Sequence, residues 1–261
     1  MAMSDYRGRF LWYELMTTDV GAAIDFYSGL VGWTTQPWAG GDQPYTMWMS
    51  GEMPVGGIME LPAEAAAAGA PPHWLAYIGT PDLDATVARA GQLGANVIVP
   101  TMEIPEVGRM TIFRDPQGAV FAAYQPANEQ PPEEPAGEGR FSWHELLTTD
   151  REAGWAFYSE LFGWETTDEM DMGEAGIYQV YGRPGRWPLG GMMTLPPDAP
   201  QVSAWMLYVK IPDCAAAVEA VKAAGGSLLH GPMEVPGGDR IAVCMDPQGA
   251  AFAVHSAANA G

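Results

Sequence analysis

The sequence is short of several things, and each shortage excludes something. Two cysteines among 261 residues cannot make a disulfide framework. Twelve Lys and Arg stand against 32 Asp and Glu, for a formal charge of −20. Phosphate backbones and anionic lipid surfaces are held by clustered cations, so neither nucleic acid nor a membrane is expected as a partner. No run of about 18 apolar residues is found, so no spanning helix is expected. The stretch Met1 to Arg7 has no basic segment leading into an apolar one, so a secretion leader is not expected and a cytoplasmic protein is. Histidine is scarce, at four residues. Hydrophobic residues are plentiful: at 48% they can fill a core, which sets disorder aside. The remaining partners are small molecules or other protein chains, including a second copy; monomer and homodimer both stay open.

The chain repeats itself. Gly8-Arg9-Phe10-Leu11-Trp12-Tyr13-Glu14-Leu15-Met16-Thr17-Thr18-Asp19 returns as Gly139-Arg140-Phe141-Ser142-Trp143-His144-Glu145-Leu146-Leu147-Thr148-Thr149-Asp150, at an offset of 131. Phe26-Tyr27 with Gly32-Trp33, and Asp115-Pro116-Gln117-Gly118-Ala119, return at the same offset of 131. Val55-Gly56-Gly57-Ile58-Met59 matches Leu189-Gly190-Gly191-Met192-Met193 at 134, so the copies differ by three residues in a loop. Between the copies, 127–138 is rich in Pro and Glu without apolar periodicity and reads as a linker. The expected domains are a module over 8–126 and a second over 139–257.

Each module reads β-α-β-β-β twice. Residues 10–17 alternate as a strand, and Asp19 can cap the helix that follows. Ile24, Tyr27 and Leu30 share one helical face, and Gly32 is placed to stop the helix. Short strands are predicted near 33–38, 45–49 and 55–61. The alanine-rich 64–72 reads as a crossing loop with room for a helical turn. The order then restarts: a strand at 74–78, a helix capped by Asp82 or Asp84, and strands near 96–99, 109–113 and 120–124. Asp115-Pro116-Gln117-Gly118 joins the last two as a tight turn. The class is α+β, with four βαβββ units.

On Asp19 with Phe26-Tyr27 and Gly32-Trp33, their copies, and the two Asp-Pro-Gln-Gly turns, the chain resembles the vicinal oxygen chelate superfamily. That superfamily holds glyoxalase I, extradiol dioxygenases and bleomycin-resistance proteins. Among its branches the chain is most similar to two-domain glyoxalase-like proteins. The resemblance implies tandem modules whose curved mixed sheets surround ligand clefts. It also implies places for metal ligands. The first, seven residues before the helix-starting Asp, is Trp12 and Trp143; the restarted motif has Leu75 and Met206 there. The last-strand place is Ala122 and Ala253. All six places are apolar, so the superfamily's metal site reads as absent and no cofactor is expected.

Residues two apart on a strand share a face. Trp12 then faces the cleft with Glu14, Leu75 with Tyr77, and Ala122 with Tyr124. In the second copy the sets are Trp143 with Glu145, Met206 with Tyr208, and Ala253 with His255. Trp48, Tyr45 and Tyr178 are expected at the cleft mouth. Each cleft would be apolar and aromatic with one carboxylate, the usual build of a small-molecule site. The first reading is a protein that binds a planar or aromatic molecule without metal. The second is a metal-independent isomerase, lyase or hydroxylase using Glu14 or Glu145 as acid and base, with His255 paired to Glu145. The third is a metal-dependent lyase or dioxygenase with atypical ligands.

Overall fold

A computed structural model describes residues 6–40 and 45–258. Residues 1–5 of the N-terminal stretch considered above lie outside the described residues. In chain order the first half gives β1 (Phe10–Thr17), α1 (Val20–Val31), β2 (Thr34–Trp38), β3 (Tyr45–Ser50), β4 (Met53–Glu60), the short α2 (Ala63–Ala67), β5 (His73–Gly79), α3 (Leu83–Gln92), β6 (Asn96–Ile104), β7 (Gly108–Arg114) and β8 (Val120–Pro126). The second half gives β9 (Phe141–Thr148), α4 (Arg151–Phe162), β10 (Glu165–Asp171), β11 (Ile177–Gly182), β12 (Pro188–Thr194), β13 (Ala204–Lys210), α5 (Cys214–Ala223), β14 (Ser227–Glu234), β15 (Arg240–Met245) and β16 (Ala251–Ser256). The four βαβββ runs are all present. The alanine run, read as a loop with room for a turn, is α2, a helix of five residues.

Local chemistry sets the helix ends. The carboxylates of Asp19, Asp82, Asp150 and Asp213 each accept a hydrogen bond from an amide of the first turn. Gly32 and Gly163 close α1 and α4 in the left-handed region, at φ of 80° and 71°, where a side chain would be strained.

Each half of the sequence forms one open eight-stranded sheet, ordered β2-β3-β4-β1-β5-β8-β7-β6 and β10-β11-β12-β9-β13-β16-β15-β14. Strand β1 runs parallel to β4, and β5 to β8; hairpin neighbours such as β2 and β3 are antiparallel. The sheets are therefore mixed, and the fold is α+β.

The compact units cut across this division. One unit takes the chain up to Leu11, Ala76–Glu134 and Trp143–Trp205; the other takes Trp12–Leu75, Pro135–Ser142 and the chain from Met206 on. Each thus combines one βαβββ run from each half. In the first, Phe121, Phe157, Tyr158, Trp164 and Trp205 form an aromatic core between α3 and α4. In the second, Phe26, Tyr27, Trp33, Trp74 and Phe252 do the same between α1 and α5.

The same relay anchors both cores. Trp205 Nε1 donates to Tyr158 Oη at 3.1 Å, and Tyr158 donates to Asp115 Oδ2 at 2.9 Å. Trp74 Nε1 donates to Tyr27 Oη at 3.0 Å, and Tyr27 to Asp246 Oδ2 at 3.1 Å. The other oxygen of each aspartate accepts two amides of its own turn. The Asp-Pro-Gln-Gly motif is therefore both a turn and the buried end of a polar relay.

The connecting segment 127–138 holds no helix or strand, but it is tied down. Glu133 accepts a hydrogen bond from the buried Arg183, and Arg9 donates to the Pro131 carbonyl at 2.8 Å. Among the described residues no helix is long and apolar enough to cross a membrane.

Candidate functional site

Two strands build the same polar set twice. On β1, Trp12 and Glu14 point the same way, and the Trp12 indole donates to the Tyr45 hydroxyl at 2.8 Å. On β9, the Trp143 indole donates to the Tyr178 hydroxyl at 2.8 Å, and Tyr178 is hydrogen-bonded to Glu145. The order follows from donor chemistry. An indole can only donate, so the phenol oxygen accepts and its proton goes to the carboxylate. Burial, then the charge of Glu145, pushes the Tyr178 phenol well above its ordinary range. Glu14 and Glu145 are buried, at 6% and 9% exposure, and both are engaged in interactions. The Trp and Tyr rings are half-buried.

The paired glycines explain how the phenol reaches across. Strand β4 lies between β3 and β1, and Gly57 is the register partner of Glu14. A Cβ on Gly57 would collide with the Tyr45 hydroxyl, and one on Gly191, beside Glu145, with the Tyr178 ring. The preceding glycines serve the backbone: a Cβ on Gly56 would strike the Tyr13 carbonyl, and one on Gly190 that of His144. Gly57 and Gly191 are thus windows through which a tyrosine lies over the sheet.

The other expected site residues divide. Tyr77 and Tyr124 meet edge-on with ring centres 6.4 Å apart. The Tyr124 hydroxyl donates to the Val107 carbonyl, and burial pushes its pKa up to about 12. Leu75 and Tyr208 are buried, and Met206 is half-buried. Trp48 is a correction. It is fully buried against Tyr27 and Trp33 in an aromatic core, not at a cleft mouth. Parity is the reason: Trp48 lies three residues after Tyr45, so the two point to opposite faces of β3.

His255 is a second correction. The sequence pairs it with Glu145, but both its ring nitrogens are otherwise engaged. Nδ1 is 2.9 Å from Ser142 Oγ and Nε2 is 2.8 Å from Asp239 Oδ2. Sequence reasoning missed Ser142 and Asp239. A signal was available: at the offset of 131, their counterparts in the first copy are Leu11 and Gly108, and that of His255 is Tyr124. Burial alone would raise the Asp239 carboxyl. The bonds from His255 and the Ala258 amide outweigh it and hold the group below its ordinary value.

For a divalent metal the donor set is poor. Trp12, Leu75, Ala122, Trp143, Met206 and Ala253 offer no ligand atom of the usual kinds. Among the described residues no group of three or more His, Cys, Asp or Glu side chains is arranged to hold an ion. The residues at the implied ligand places therefore do not fit the metal that the fold suggests.

The sequence profile of the glyoxalase/bleomycin resistance protein/dioxygenase superfamily matches residues 9–122 and again 140–254. The chain belongs to this superfamily. It is 36% identical over 256 residues to CFP32 of Mycobacterium bovis, covering 96% of each chain. It is 32% identical over 257 residues to the anthracycline biosynthesis protein DnrV of Streptomyces peucetius, covering 93% of this chain and 91% of that one. Among solved structures, the Mn(II)-bound glyoxalase of Novosphingobium aromaticivorans superposes with a TM-score of 0.62 at 14% identity, over 96% of this chain and 82% of that one. The 2,3-dioxygenase LapB of Pseudomonas sp. KL28 gives 0.63 at 12% identity, over 97% and 94%. At such identities the likeness is one of fold.

Proposed function

We propose that each module, 8–126 and 139–257, binds a planar, largely aromatic small molecule without a metal ion. The carrying observation is the Trp–Tyr–Glu set, built twice with the same hydrogen bond between indole and phenol. A half-buried indole held by its own N–H presents a fixed face for stacking. The buried carboxylate, bridged by Tyr178 in the second copy, supplies one polar point that orients a ligand hydroxyl. Leu75, Tyr77, Tyr124, Met206 and Tyr208 are kept as candidate ligand-binding residues. The relative named for anthracycline biosynthesis supports a fused-ring aromatic as ligand class.

A second reading makes Glu145 an acid–base group. The Tyr178 bond favours it, because a phenol that donates to the carboxylate can follow the proton as it moves. One experiment addresses both readings. Calorimetric titration with a hydroxylated anthraquinone should show two sites per chain. Trp12→Ala and Trp143→Ala should each remove one site. Retention of both sites in the double variant would refute the stacking role. Metal analysis of the purified protein is the companion measurement. Stoichiometric zinc, nickel or iron that disappears in Glu145→Ala would overturn the metal-free reading.

A further inference from the structure

The second copy carries a hydrogen-bonded serine, histidine and aspartate that the first lacks. Ser142 is the second residue of β9, His255 the last but one of β16, and Asp239 directly precedes β15. All three lie in one compact unit. Backbone pairing brings their strand ends together. Ile241 is the register partner of His255, and Lys210 exchanges backbone bonds with Gly139 and Arg140 just ahead of Ser142.

The chemistry of the ring fixes which nitrogen does what. An ionised Asp239 can only accept, so Nε2 carries the proton and donates to it. Nδ1 is then left with its lone pair facing the Ser142 hydroxyl at 2.9 Å. That is a base positioned on a nucleophile and oriented by a carboxylate, with the two ring nitrogens in exchanged roles relative to the usual serine-hydrolase arrangement. The Tyr208 carbonyl is 3.4 Å from Ser142 Oγ, the longer of its two contacts. Ser142 and His255 are half-buried, and Asp239 is the most exposed of the three, with 39% of its side chain accessible. In the first copy Leu11, Gly108 and Tyr124 hold the matching positions, so all three polar residues are present together or absent together.

We propose that Ser142 is a nucleophile, activated by His255 and Asp239, that accepts the acyl group of small carboxylic esters. Ser142 Oγ attacks the ester carbonyl carbon while its proton moves to His255 Nδ1. The bond from that carbon to the alkoxy oxygen breaks, and the departing alcohol takes the proton from Nδ1. A water molecule, deprotonated by the same nitrogen, then cleaves the acyl-serine. The products are one acid and one alcohol, and Ser142 is restored. Ser142, His255 and Asp239 belong to neither Trp–Tyr–Glu set, so loss of ligand binding and loss of acyl transfer are read by different variants.

The test uses the full chain and two probes, p-nitrophenyl acetate and a fluorophosphonate read by peptide mass spectrometry. The expected result is a single adduct on Ser142, absent in Ser142→Ala. General-base assistance is worth about 100-fold or more, so His255→Gln should slow labelling by at least that factor. Asp239→Asn is the decisive variant, because it sits at the surface and preserves packing. An amide can donate to Nε2, which turns the Nδ1–H toward Ser142 and removes the base. Its labelling should fall about as far while its circular dichroism and melting temperature stay at the wild-type values. Labelling no faster than at other serines, or equal in wild type and Asp239→Asn, would overturn the proposal and leave the three residues as a tie between strand ends.

Discussion

His144 gives a quantitative handle on the core. It replaces the Tyr13 of the first copy and lies buried at 4% exposure. Its ring stacks on Phe10 with centres 3.7 Å apart and planes 4° from parallel. Nδ1 lies 2.8 Å from the Leu189 carbonyl, which can only accept, so the neutral ring is protonated there. Burial, partly offset by that bond, lowers its pKa from 6.5 to about 4. A histidine whose folded pKa is depressed binds fewer protons folded than unfolded. Its contribution is therefore intact above the unfolded value and is lost as pH falls toward 4. At about 1.4 kcal/mol per pKa unit the full loss is about 3 kcal/mol, and about 2 kcal/mol of it falls between pH 7 and pH 5. The assay is urea unfolding at pH 7, 6 and 5 for wild type and His144→Phe. Phenylalanine keeps the stacking and has nothing to protonate. Wild type should lose about 2 kcal/mol more than the variant over that range. The titrations of Asp115 and Asp246 are common to both proteins and cancel. Equal pH slopes, or an NMR titration of His144 near 6.5, would refute the reasoning.

Three further outcomes follow from the same geometry. Burial raises the pKa of Asp115, and the Tyr158 bond opposes the rise. Tyr158→Phe should cost about 1–3 kcal/mol at pH 7 in thermal unfolding, and the deficit should shrink as pH falls and Asp115 is protonated. Gly191→Ala should cost about 1–3 kcal/mol by overpacking against the Tyr178 ring, whereas Gly29→Ala, inside α1 with open space around it, should stabilise by about 0.5–1 kcal/mol. Burial raises both thiols, Cys244 to about 11, so iodoacetamide should modify neither Cys214 nor Cys244 until denaturant is added.

What the sequence made legible follows the range of its signals. The repeat, the four βαβββ runs, the aspartate caps and the glycine stops are local, and each was readable where it stood. Parity along one strand placed Trp12 with Glu14 and Trp143 with Glu145, because that rule needs only neighbours. The same alternation, counted from Tyr45, sends Trp48 to the opposite face of its strand. The phenol that holds each indole comes from two strands away, and a glycine in the strand between makes room for it. No periodicity encodes that passage. The aspartates of the two turns read as turn formers because their backbone role is local, whereas their tyrosine partners lie in the other half of the sequence. Ser142, Asp239 and His255 lie at three strand ends that sheet order alone brings together. Their one trace in the sequence is a difference between copies. A duplication preserves what the fold requires of both halves, so the positions where one copy departs alone are those free to take on separate chemistry. By that criterion the departures at Leu11/Ser142, Gly108/Asp239 and Tyr124/His255 are where the proposed acyl chemistry would belong to the second copy alone.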